Sequence, residues 1–143
     1  MTSETFVYVS YIATTPEKVW QALIDGEMMR QYWKHENISD WKIGSPWEMI
    51  TSDGKRTVKH VGKVLECTPN KRLAMSWSTP EDAADQSTYS KVAMDIDTVG
   101  DMVRLTVTHE DLSAEMRSRI GYGWPLVLCS MKSLLETGRP LDF

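Results

Sequence analysis

The segment Val103-Arg104-Leu105-Thr106-Val107-Thr108-His109 is followed a few residues later by Trp124-Pro125-Leu126-Val127-Leu128-Cys129-Ser130-Met131-Lys132-Ser133-Leu134-Leu135. The change of period between the two runs decides the fold. In the first, apolar Val103, Leu105 and Val107 alternate with polar Arg104, Thr106 and Thr108, which predicts a half-buried strand. In the second, Trp124, Val127, Leu128, Met131, Leu134 and Leu135 recur at spacings of three and four, the stripe of an amphipathic helix. Pro125 is tolerated in a first helical turn, so the helix is predicted to begin near Gly123 or Trp124 and run to about Thr137. Gly138 and Pro140 terminate it. Ser113 is placed as the cap of a separate short helix, about 114–120.

Upstream the period of two persists. Val92, Met94 and Ile96 alternate with Lys91, Asp95 and Asp97, and Leu73-Ala74-Met75-Ser76-Trp77 alternates large with small. Val58–Leu65, Trp47–Ile50 and Trp41–Ile43 read as further strands, divided by Asp53-Gly54 and Gly44-Ser45. Within 58–65, His60 lies in phase with Val58, Gly62 and Val64, while Val61 and Leu65 fall in the opposite phase, so a bulge is expected at Gly62. Residues 6–13 form an opening strand. Thr15-Pro16-Glu17 then starts a helix over 16–25 that Gly26 ends, and a second short helix over about 27–33 offers Met29, Tyr32 and Trp33 as one apolar edge. The expected class is α+β: an antiparallel sheet of about six or seven strands with one dry face, covered by a long C-terminal helix.

At 143 residues the chain is long enough for a single domain, 1–143, and too short for two full ones. Its net charge of −4, with no basic stripe, argues against a nucleic-acid partner. No apolar run approaches the roughly 20 residues of a membrane span, and no secretory leader is visible, so a cytoplasmic location and no membrane partner are expected. Cys67 and Cys129 form no paired motif, and His35, His60 and His109 are scattered, so no metal and no cofactor are expected. Asn37-Ile38-Ser39 matches a glycosylation acceptor that has no meaning without secretion. Six Trp and nine Met are an excess of large, polarizable side chains, suited to a big apolar interior or a pocket.

Four stretches resemble the START-like (SRPBCC), helix-grip superfamily, within the group similar to the C-terminal domain of the activator of Hsp90 ATPase. They are the opening strand with Thr15-Pro16-Glu17-Lys18-Val19-Trp20; Leu73–Trp77, ending in Trp; Arg104–Glu110, containing Thr108-His109; and Gly123-Trp124 with the helix end Leu134–Gly138. The resemblance covers essentially the whole chain. It implies a curved sheet gripping the last helix, with a cavity between them that accepts a hydrophobic or lipid-like molecule. The full Hsp90 activator also has an N-terminal domain making its principal chaperone contacts. This chain has no room for one, so an Hsp90 interaction is not expected.

The candidate ligand-binding residues are Trp33, Trp47, Met49, His60, Met75, Trp77, Met94, His109, Trp124, Leu128 and Met131, with Met94 and Leu128, like Leu105, better suited to plain core. Trp20 is assigned to helix–sheet packing. Enzyme motifs are absent, so the leading expectation is binding of a small hydrophobic or aromatic molecule without catalysis. His109 continues the Val103, Leu105, Val107 series and so points to the dry face. There, near its ordinary pKa, it is the candidate acid/base of a cyclase, dehydratase or hydrolase, with His60 behind it. A third reading is a cochaperone-like interaction module presenting the acidic loop 81–85 and exposed Trp. An open edge strand also leaves room for a homodimer.

Overall fold

Short-range capping chemistry sets most element ends. Thr15 Oγ1 accepts the Lys18 amide (3.3 Å) and Pro16 occupies the first helical position. Asp25 closes that helix and opens the next, its carboxylate accepting the Glu27 amide at 3.0 Å. The break therefore falls on Asp25, and Gly26 begins the second helix rather than ending the first. In this computed structural model, described over residues 3–143, the elements are β1 (Glu4–Ile12), α1 (Pro16–Ile24), α2 (Gly26–Tyr32), β2 (His35–Ile38), β3 (Pro46–Thr51), β4 (Val58–Thr68), β5 (Arg72–Trp77), β6 (Ser90–Val99), β7 (Met102–Leu112) and α3 (Ala114–Thr137).

The strands form one antiparallel seven-stranded sheet in the order β1-β7-β6-β5-β4-β3-β2. Its inner face carries Val103, Leu105 and Val107 from β7, Val92, Met94 and Ile96 from β6, and Leu73, Met75 and Trp77 from β5, all buried. Trp124, Val127, Leu128 and Met131 of α3 pack against this face, giving the helix-grip α+β architecture. Each large side chain sealed in this way contributes about 1.5–3 kcal/mol. The α1–α2 pair closes one end, where the Tyr32 hydroxyl donates to the Ala22 carbonyl at 2.8 Å. The outer face is wet: Glu48 is exposed, and Asp95 is paired with Arg72 (2.7 Å). β1 is an open edge whose outward Val7, Val9 and Tyr11 are exposed. Among the described residues no helix is long and apolar enough to cross a membrane.

Three expectations are corrected. The C-terminal helix does not begin at Gly123: α3 is continuous from Ala114 through Pro125 to Thr137, with Ser113 Oγ capping the Met116 amide at 3.1 Å. Pro125 removes the N–H that the Gly121 carbonyl would receive, yet Trp124, Val127, Leu128 and Met131 hold the helix on the sheet, and tertiary packing outweighs the local cost. Trp41–Ile43 is a loop, because Trp41 (φ 61°) and Gly44 (φ 88°) turn the chain, and Ser39 Oγ and Asp40 Oδ1 bond the amides of Trp41 and Lys42. The polar run His35–Ile38 forms the edge strand β2 instead. It also buries Asn37, which removes any glycosylation reading.

The third correction concerns β4. Its pairing slips twice, leaving Lys59 as the extra residue against β3 and Leu65 as the extra residue against β5, so the bulges flank Gly62 rather than fall on it. The slip at Leu65 explains the mixed phase of the sequence, since Val64 faces in and Leu65 lies half exposed. Gly62 has a different use. A Cβ there would collide with the Ser76 carbonyl oxygen and press on the Trp47 indole. Without one, Trp47 crosses the strand and donates Nε1–H to Ser76 O at 2.8 Å.

Candidate functional site

Four of the six tryptophans form a chain of ring contacts on the inner face. Trp47 lies 5.3 Å from Trp77, Trp77 6.0 Å from Trp124, and Trp124 5.7 Å from Trp33, centroid to centroid. Each comes from a different element: β3, β5, α3 and the C-terminal end of α2. His60 packs on Trp77 at 4.6 Å, and His109 meets Trp77 edge-on at 5.2 Å.

His109 is fully buried beneath this layer. The Trp124 indole N–H donates to its Nδ1 (3.2 Å), so Nδ1 carries no proton and Nε2 does. Nε2–H then donates to Ser90 Oγ (2.7 Å), and Ser90 donates to the Trp77 carbonyl (3.4 Å). The relay ties α3, β7, β6 and β5 together, in one direction. It also removes the expected acid/base role. The lone pair of His109 is occupied, and burial, with His60 nearby, lowers its pKa to about 4. Ser90 accepts from the histidine rather than giving up a proton to it, so the pair is no activated nucleophile.

In front of the aromatic layer lies a cleft of about 350 Å³ between β3–β5 and α3. Of the residues nominated from sequence, Trp33, Met49, His60, Trp77 and Trp124 line it. Trp47, Met75, Met94, His109, Leu128 and Met131 do not; they are buried in the sheet–helix core behind it. The remaining wall comes from His35, Lys59 and Thr79 on the sheet side and from Met116, Arg119, Ile120, Gly123 and Val127 on α3. The helical contributors follow a three-and-four spacing that continues the Trp124 stripe upstream. That signal was in the sequence, and Pro125, taken as a helix start, concealed it.

Polar supply in the cleft is small and partly unused. The Nδ1 of His60 and the Nε1 of Trp77 are buried without a hydrogen-bond partner. Burial first, then the charges of His35 and Lys59, lower the His60 pKa to about 4, so it too is neutral near pH 7. His35 Nδ1 donates to the Trp33 carbonyl (3.2 Å), fixing its ring at the edge of the site. Three larger hollows, about 790, 650 and 400 Å³, are lined mostly by polar residue types. In the largest, Arg72 is already committed to Asp95 (2.7 Å) and to Glu66 (2.6 Å). No group of three or more His, Cys, Asp or Glu suited to a metal occurs among the described residues.

Comparison with known proteins places this geometry in a wider setting. The family model described as activator of Hsp90 ATPase homolog 1-like protein matches residues 13–136. No curated protein matches the chain. Among solved structures, CalU16 from Micromonospora echinospora, in solution, superposes with a TM-score of 0.77 at 22% identity, covering 96% of this chain and 69% of its own. The Aha1 dimer from Colwellia psychrerythraea gives 0.76 at 21% identity, with 94% and 98% covered. Protein MLL2253 from Mesorhizobium loti gives 0.77 at 21%, with 92% and 96% covered. At these identities the likeness establishes the shared fold.

Proposed function

This chain belongs to the activator of Hsp90 ATPase homolog 1-like family, and from that premise we propose that residues 1–143 act as a single domain binding one small apolar, aromatic-sized molecule in the cleft, without catalysis. Gly123 carries the proposal. A glycine inside a helix costs about 1 kcal/mol relative to alanine. Gly123 does not adopt a left-handed backbone, and a Cβ on it would meet nothing within 4 Å. Neither conformation nor close packing calls for its missing side chain. Gly123 lines the same cleft as Trp33, Trp77 and Trp124, and its missing side chain leaves open space there, in an apolar hollow with few polar groups of the kind that holds small ligands.

The enzyme reading is weaker, because His109 has no free lone pair and lies outside the cleft, while His60, which lines it, has no hydrogen bond among the described residues that would orient it as a base. Of the surface that the interaction-module reading requires, the acidic loop 81–85 is largely exposed, but every Trp of the chain is buried or half-buried.

N-phenyl-1-naphthylamine, an uncharged aromatic probe, tests the proposal. Saturable one-to-one binding is expected, with quenching of Trp emission, and Trp33→Ala is expected to weaken it about tenfold, consistent with loss of roughly 1.4 kcal/mol of ring contact. Trp33 is half-buried at the cleft wall, so the variant is expected to keep its fold, as circular dichroism would show. Absence of saturable binding, or an unchanged affinity in Trp33→Ala, would sink the proposal.

A further inference from the structure

The charged side chains that line the mouth of the cleft are cationic, with Glu81 just outside the lining but near enough to act on His60. Lys59 enters from β4 and Arg119 from α3, both are exposed, and no Asp or Glu lines the cleft, although the chain as a whole is acidic at −4. Lys59 reaches this position through a backbone irregularity. On a regular strand, neighbours Lys59 and His60 would point to opposite faces. Lys59 is the extra residue of the β3–β4 bulge, and both side chains line the same cleft. Among the described residues Lys59 has no ion-pair partner, and Arg119 has only Glu115 on its own helix (2.9 Å), an exposed pair that competes weakly for it. Deeper in, His60 Nδ1 and Trp77 Nε1 are buried polar atoms without partners.

Resting on the binding function proposed above, we infer that the ligand is an anionic amphiphile: an aromatic or short aliphatic body seated between Trp33, Trp77 and Trp124, with a carboxylate, sulfonate or phosphate held at the mouth by Lys59 and Arg119. The apolar wall supplies affinity for the body. The two cations, neither of them ion-paired across the cleft, select the head group and fix which end enters first.

Two probes with the same ring pair separate this inference from the binding function beneath it. 8-Anilinonaphthalene-1-sulfonate carries a sulfonate that N-phenyl-1-naphthylamine lacks. At low salt the sulfonate is expected to bind about tenfold more tightly, an advantage that added salt erodes. Lys59→Met and Arg119→Met are each expected to weaken the sulfonate about three- to tenfold and the neutral amine by less, so that the ratio of the two affinities falls. The neutral probe thus reports that the cleft is intact in both variants. Equal affinities for the two probes, or a sulfonate affinity unmoved in the double variant, would overturn the clamp and leave apolar binding standing. Failure of both probes to bind the unmodified protein would remove the binding function, and the clamp with it.

Discussion

His109 shows how far one side chain can be read before its neighbours are known. Its parity on β7 places it on the dry face, as alternation with Val103, Leu105 and Val107 implies. Its chemistry depends on Trp124, fifteen positions away, whose indole N–H fixes the tautomer and fills the lone pair. No local pattern encodes that contact. The consequence is a pH-dependent stability of defined sign. The folded pKa, about 4, lies below the ordinary 6.5, so the unfolded chain binds the proton more readily. Stability is fully present above pH 6.5 and is lost as the pH falls toward 4. A gap of that size corresponds to about 3 kcal/mol. Denaturant unfolding of the wild type and His109→Gln across this range should show the wild-type advantage shrinking by about that amount on acidification. A difference that stays constant with pH would mean that His109 is not held neutral by the fold.

Strand β4 and helix α3 are where local rules and tertiary packing diverge. The alternation in β4 announced an irregularity, since His60 and Val64 shared a phase that Val61 and Leu65 contradicted. It could not say that two bulges, at Lys59 and Leu65, flank a regular Gly62. Gly62 is needed for close approach, with Trp47 reaching across it to Ser76. Gly62→Ala is therefore expected to cost about 2 kcal/mol or more, measured by chemical unfolding, because its methyl group displaces either the Ser76 carbonyl or the Trp47 indole. A variant as stable as the wild type would show that this crossing is not structural. In α3 the opposite error arises. Pro125 is a strong local stop signal, and it lost to an apolar stripe that is half-buried at Met116 and Ile120 and buried at Trp124, Val127, Leu128 and Met131. The antiparallel meander and the two short helices were legible because caps and alternation are local, whereas the pairing of β1 with distant β7 was not. Polar β2 was not, because an edge strand need not bury an apolar row.

The excess of Trp and Met marked the inner face correctly as a region. Periodicity alone cannot separate the side chains that fill the grip from those that border an opening in it, because both sets share the same faces. Trp47, Met75, Met94, Leu128 and Met131 fill; Trp33, Met49, His60, Trp77 and Trp124 border. The division depends on the packing around the cleft, to which Gly123 contributes a position without a side chain. Gly123→Leu adds a strong helix former and a side chain that projects into the open space. Titration of N-phenyl-1-naphthylamine into wild-type protein and Gly123→Leu, with thermal melts of both, tests the cleft as the seat of binding. The account requires binding to fall at least about tenfold, roughly 1.4 kcal/mol, while the melting temperature holds or rises. Undiminished binding in a stably folded Gly123→Leu would contradict it.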